Sequence, residues 1–111
     1  MYTAAIVGCG TIAGLYDDTG TSDSIVSHAA GYHNHDMFDL SGCVDCNKKT
    51  VERFAELQKV IHFDTNLVTV LDAVQPDIIS ITTPDDTHHS IVSLILGCVD
   101  APPKLIFLEK P

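Results

Sequence analysis

Two near-continuous apolar runs late in the chain constrain the fold most: DIISITT, residues 77–83, and KLIFL, residues 104–108. A strand with one wet face alternates apolar and polar residues. These runs keep apolar side chains on both faces, which suits a parallel sheet covered on both sides. Residues 2–7 (YTAAIV) form a third run that ends in glycine, and 38–45 (FDLSGCVD) a fourth that ends in Asp45. A weaker strand is predicted at 60–63 (VIHF).

Between these runs the apolar period changes from strand-like to helical. Asn47 suits the N-cap of a helix through about Lys59, with Val51, Phe54 and Ala55 on one stripe. Asp64 or Thr65 can cap a second helix, in which Leu67, Val70, Leu71 and Val74 recur at helical spacing until Pro76. After Pro84, the acidic pair Asp85-Asp86 favours a helix amino terminus. Ile91, Leu94, Ile95 and Cys98 supply its apolar stripe, and Gly97 and Pro102-Pro103 end it. The first crossover is interrupted by LYDDTGTSDSIVS, residues 15–27, read as an inserted acidic loop, with a helix resuming near Ile25 and running to about His35. The resulting order, β-α-β-α-β-α-β-α-β, predicts an α/β chain: a doubly wound parallel sheet with right-handed crossovers and helices on both faces.

Length and charge narrow the function. At 111 residues the chain fits a single domain, and 45% hydrophobic with 19% charged residues describes a folded core. Six Lys plus Arg against 15 Asp plus Glu give a net charge of −9, and no cation precedes Lys48. That balance argues against nucleic acid and against an anionic membrane surface as partners. The longest apolar stretch, Ile91 to Val99, falls short of the ~20 residues of a spanning helix. The amino terminus reaches glycine before a signal sequence could form, so a cytoplasmic protein is expected.

Cys9, Cys43, Cys46 and Cys98 are expected to be reduced. The Cys43-x-x-Cys46 pair is read as buried small hydrophobes at a strand end, and His33 and His35 as solvated helix-end residues, so no metal site is expected.

The chemistry begins at VGCGTIAG, residues 7–14. Gly8-Cys9-Gly10-Thr11-Ile12-Ala13 follows a predicted strand and opens a helix, which is the context of a dinucleotide-binding glycine turn in a Rossmann-type sheet. The first glycine permits the tight turn, the second lets the backbone approach a pyrophosphate, and the third small residue lets helix pack on strand. With no basic side chain nearby, backbone N–H groups and the helix dipole would hold the phosphates. Asp45, at the end of the second strand, can accept hydrogen bonds from the adenosine ribose. It lies 37 residues after Gly8, or 24 once the 13-residue insert is removed. An acid there repels a 2′-phosphate and favours NAD, while Lys48 and Lys49 keep NADP open.

In such a sheet ligands sit beyond the carboxyl ends of the strands, where the strand order reverses. Gly8 and Gly10 follow the first strand, Thr82-Thr83-Pro84 the fourth, and Glu109-Lys110-Pro111 the fifth. The segments VGCGTIAG, HAAGYHNHDMFDLSGCVD, DIISITTPDDTHHSIVSLIL and LIFLEKP together resemble the amino-terminal half of the Gfo/Idh/MocA oxidoreductases. The resemblance spans essentially the whole chain, and its T-P-x-x-x-H and E-K-P motifs are more specific than the glycines.

That resemblance implies that Lys110 lies near the nicotinamide and the substrate hydroxyl and assists proton transfer. It also implies that Glu109, Thr82, Thr83 and Pro84 contact the nicotinamide-ribose portion, with His88 as the loop-helix histidine. Asp85 stands where family members often carry Asn or Pro, and the 15–27 loop is longer than in most.

Family members have a second domain after E-K-P that supplies the substrate pocket. Residues 1–111 are therefore expected to be the cofactor half, inactive alone, of a homo-oligomeric enzyme acting on a sugar or polyol. A non-catalytic NAD(P)-binding sensor or assembly module is an alternative. An S-adenosylmethionine methyltransferase is another, disfavoured because Val7 and Ile12 stand where that glycine motif wants an acid and a glycine.

Overall fold

Five strands, β1 (Tyr2–Val7), β2 (Phe38–Val44), β3 (His62–Asp64), β4 (Ile78–Ile81) and β5 (Leu105–Leu108), form one sheet in the order β3-β2-β1-β4-β5. The structure, a computed structural model, describes residues 1–9, 28–83, 85–98 and 103–108. All four strand pairs are parallel. The order reverses between β1 and β4, as the alternation predicts. Helices α1 (His28–His33), α2 (Lys48–Gln58), α3 (Leu67–Val74) and α4 (His88–Cys98) make the crossovers, the last preceded by a 3-10 turn at Asp85–Thr87.

Both faces of the central strands are buried. On one side Ala4, Ile6, Leu40 and Cys43 pack with Val51, Phe54 and Ala55 of α2, with Tyr32 of α1 against them. On the other, Val7, Val44, Ile79 and Ile81 pack with Leu67, Val70 and Leu71 of α3 and Ile95 of α4. Leu40 and Cys43 share a face although three residues apart, because the register with β1 shifts at Ser41: Ala4 pairs with Leu40 but Ala5 with Gly42. The extra residue brings Val44 opposite Val7, and Val7 in turn pairs with Ile81 and Ile81 with Leu108. With Asp64, the last residue of β3, opposite Val44, all five strands thus end level on one edge. At Gly42 α3 comes so near that an added Cβ would lie 2.8 Å from Val70 Cγ1 and 3.0 Å from Val74 Cγ2.

Local chemistry fixes the ends of the elements. Asn47 caps α2, its side chain accepting from Thr50 N at 3.0 Å as its position predicts. The weak strand expected at 60–63 begins two residues later. Lys59 turns left-handed, with φ 58°, and Val60 N donates to Ala55 O at 2.9 Å, so Val60 belongs to the helix end. Neither Asp64 nor Thr65 caps α3. Asn66 does, its Oδ1 accepting from Val68 N at 2.9 Å, while Asp64 Oδ1 holds Asn66 N at 2.9 Å. The helix closes through left-handed Gln75 just before Pro76.

Other expectations need correction. α1 ends at His33, two residues short of His35, whose Nδ1 instead accepts from Met37 N; its expected start near Ile25, with the 15–27 loop, lies outside the described residues. Leu94 does not join the buried stripe of α4 and is 40% exposed, with Val92 partly buried instead. β5 is not buried on both faces: Leu105, Phe107 and Leu108 are each about half exposed, because among the described residues β5 is at the sheet edge and pairs with β4 alone. Cys43 is buried but Cys46 is exposed. No described helix is long and apolar enough to cross a membrane, and no group of three metal-ligating side chains occurs among the described residues.

Candidate functional site

The level strand ends bring the glycine turn and the fourth-strand bend into contact. Gly8 continues from β1 with φ +94°, a conformation that L side chains rarely adopt, and its N–H donates to Val44 O at 2.7 Å. A Cβ at Gly8 would lie 2.9 Å from both Thr82 Oγ1 and Thr83 Cγ2, so space as well as conformation demands glycine.

The neighbouring Cys9 turns its side chain into the core, where it is fully buried and its thiol donates to Val44 O at 3.4 Å. A hydrogen bond with the Cys43 thiol, then burial, pushes the Cys9 thiol far above its ordinary range, which makes it a neutral packing group and not a nucleophile.

Asp45 spans the turn and the next helix. Its Oδ2 accepts from Cys9 N at 2.8 Å and its Oδ1 from Asn47 N at 2.8 Å. An ionised carboxylate has about four acceptor positions, so two backbone bonds leave capacity for hydroxyl groups.

Thr82 closes the other side. Its N–H donates to Val7 O at 2.8 Å, and its hydroxyl donates to Gly8 O at 2.6 Å, with Val7 O at 3.2 Å. Thr83 Oγ1 accepts from Thr87 Oγ1 at 2.6 Å, and Thr83 O lies 3.0 Å from His88 Nε2.

Gly8, Asp45, Thr82 and Thr83 therefore meet on one edge. His88 stands one turn further, its ring directed to the Thr83 carbonyl. Gly10, Thr11, Ile12, Pro84, Glu109 and Lys110 lie outside the described residues, although β5 ends at Leu108 opposite Ile81, beside the bend. Sequence reasoning missed two participants, the Cys9 N–H and Thr87. The only sequence signal for Thr87 is its spacing of four from Thr83.

The carboxylate beside Gly8 suits the ribose hydroxyls of a dinucleotide, while a pyrophosphate would have to be met by N–H groups other than those of Gly8 and Cys9, which are taken by Val44 O and Asp45 Oδ2. A separate cavity of about 300 Å³ lies between α1 and strands β2, β4 and β5, lined by Tyr32, His35, Phe38, Ile78, Leu105 and Phe107, which are mostly apolar and suit neither group.

A family model described as an oxidoreductase family with an NAD-binding Rossmann fold, Gfo/Idh/MocA, matches residues 2–111. The chain belongs to this family. No curated protein matches it. Among solved structures, the WlbA dehydrogenase of Chromobacterium violaceum, in complex with NADH and UDP-GlcNAcA, superposes with a TM-score of 0.75 at 21% identity, covering 99% of this chain and 27% of that one. A putative myo-inositol dehydrogenase of Sinorhizobium meliloti gives 0.70 at 21% identity, covering 100% and 28%. An oxidoreductase of Agrobacterium radiobacter, in complex with NAD+, L-tartaric acid and magnesium, gives 0.72 at 15%, covering 99% and 28%.

The chain thus spans little more than a quarter of these neighbours' length. As a Gfo/Idh/MocA member it is an NAD-binding oxidoreductase domain, and the level edge is where a doubly wound sheet offers its crevice.

Proposed function

We propose that residues 1–111 are the cofactor-binding part of an NAD-dependent dehydrogenase that oxidises a hydroxyl-bearing carbon of a sugar or polyol, with the substrate pocket supplied by a further domain of the same enzyme. The hydrogen bond from Thr82 Oγ1 to Gly8 O carries this reading, since it joins the turn expected to hold the pyrophosphate to the bend expected beside the nicotinamide ribose. The sugar or polyol class rests on neighbours named as a myo-inositol dehydrogenase and a UDP-N-acetylglucosamine 3-dehydrogenase.

In this reading Gly8, Gly10, Thr11 and Ile12 form the phosphate turn, and Asp45 accepts from the adenosine ribose while repelling a 2′-phosphate. Thr82, Thr83, Pro84, His88 and Glu109 border the nicotinamide ribose. The bound cofactor supplies a hydride acceptor. A carbinol that loses hydride must also lose its hydroxyl proton, and Lys110, two residues beyond β5, is the proposed acceptor, its neutral amine becoming ammonium.

Calorimetric titration with NAD, NADP and S-adenosylmethionine tests the reading. NAD is expected to bind tightest, NADP more weakly because of Asp45, and the methyl donor not at all. Tighter binding of S-adenosylmethionine than of either dinucleotide contradicts it.

A further inference from the structure

We infer that Thr87 is a positioning residue for cofactor binding, acting through the side-chain rotamer of Thr83; its link to the cofactor rests on the function proposed above. Thr83 is β-branched and offers two different groups to its surroundings. Its methyl faces Gly8, lying 2.9 Å from where a Cβ there would stand, and its hydroxyl faces Thr87 at 2.6 Å. A rotation of about 120° about χ1 takes at least one of these groups out of its place, putting the Cβ hydrogen there instead, and Thr has more than one staggered χ1 position open to it. The short bond from Thr87 selects the one that seats the methyl on the glycine turn.

The bond has a second consequence. Because Thr83 Oγ1 accepts from Thr87, its own hydrogen is left to donate to another group, and the bond it receives polarises it as a donor. The main chain of the bend is held independently, by Thr82 N to Val7 O at 2.8 Å and by the His88 ring at Thr83 O, 3.0 Å. Removing the Thr87 hydroxyl therefore releases the Thr83 side chain without unfolding the bend. Apparent affinity is then multiplied by the fraction of molecules left in the competent rotamer.

Thr87→Val keeps the shape of the side chain and removes its hydroxyl; Thr87→Ser keeps the hydroxyl. The Thr83 methyl three-bond couplings in the unliganded protein report its rotamer whether or not a cofactor binds. One rotamer is expected in the wild type and in Thr87→Ser, and averaging in Thr87→Val. A single unchanged rotamer in Thr87→Val overturns the inference.

On titration, NAD is expected to bind Thr87→Val about three- to tenfold more weakly, as for loss of one hydrogen bond. AMP, which carries only the adenylate half, should bind within about twofold of wild type. Equal losses for NAD and AMP show a merely structural role and also overturn the inference. A wild-type protein that binds AMP but gains nothing from the nicotinamide half contradicts the proposed function, while the couplings still decide the rotamer claim.

Discussion

The hydroxyl of Thr82 reaches across the sheet's topological reversal to the carbonyl oxygen of Gly8, 2.6 Å away. Val7 and Ile81, the preceding residues, pair directly in the sheet, so this bond continues the β1–β4 ladder through side-chain chemistry after the strands end. Gly8 and Thr82 are consequently tied together where the two strands end.

Gly8→Ala should damage that unit twice. The methyl meets Thr82 Oγ1 and Thr83 Cγ2 at 2.9 Å, and the backbone must hold φ near +94°. Strain and overpacking together predict a loss of about 2–4 kcal/mol in denaturant-unfolding stability, with NAD binding lost in the molecules that remain folded.

Asp45→Asn replaces an acceptor-only group with one that also donates. Its two backbone partners, Cys9 N and Asn47 N, are both donors, so one of them must face an NH₂ group. Stability should fall by about 1–3 kcal/mol. Removing the negative charge should also narrow the preference for NAD over NADP, which parallel titrations with the two cofactors would read.

Gly42 tests how closely α3 rests on β2. Gly42→Ala pushes a methyl against Val70 Cγ1 at 2.8 Å and Val74 Cγ2 at 3.0 Å, and should cost about 1–3 kcal/mol. Adding Val70→Ala frees the space. The double variant should therefore be less unstable than the two single losses added together, a coupling that a double-mutant cycle measures.

Tyr32 links stability to alkaline pH. Burial raises its pKa above the ordinary value of 10.0, against a smaller opposing effect of its hydrogen bond with Ser80 Oγ at 2.5 Å. The folded state thus prefers the neutral phenol. That contribution is fully present below pH 10.0 and is lost as pH rises through the folded pKa. Wild type should lose more stability than Tyr32→Phe over that interval in pH-dependent urea unfolding.

The parts of the fold that were legible in the sequence are those fixed by local pattern. Apolar runs announced β1, β4 and β5, a run of β-type residues announced β2, and Asn47, Pro76 and the helical stripes announced α2 and α3. What could not be read depended on partners distant in sequence. The register shift at Ser41 leaves no mark in FDLSGCV, yet it brings Asp45 level with the glycine turn. Val60 looks like a strand residue until its N–H is seen to close α2. β5 reads as a central strand because its apolar character is independent of whether anything lies against it.

At the site, the glycine and threonine motifs identified the edge. Asp45 was read as an acceptor for a ribose, and it also binds backbone on both sides; Thr87 was hidden because it stands at an unspecified position of T-P-x-x-x-H, and its bond to Thr83 depends on the 3-10 turn between them.

The central claim is that NAD lies across the carboxyl edge of the sheet, against Gly8, Asp45 and the Thr82-Thr83 bend. Backbone amide shifts followed by nuclear magnetic resonance during an NAD titration test it most directly. The largest changes are expected at Gly8, Cys9, Asp45, Thr82 and Thr83. Changes concentrated instead at Tyr32, Phe38, Ile78 and Leu105, around the apolar cavity beside α1, would contradict it.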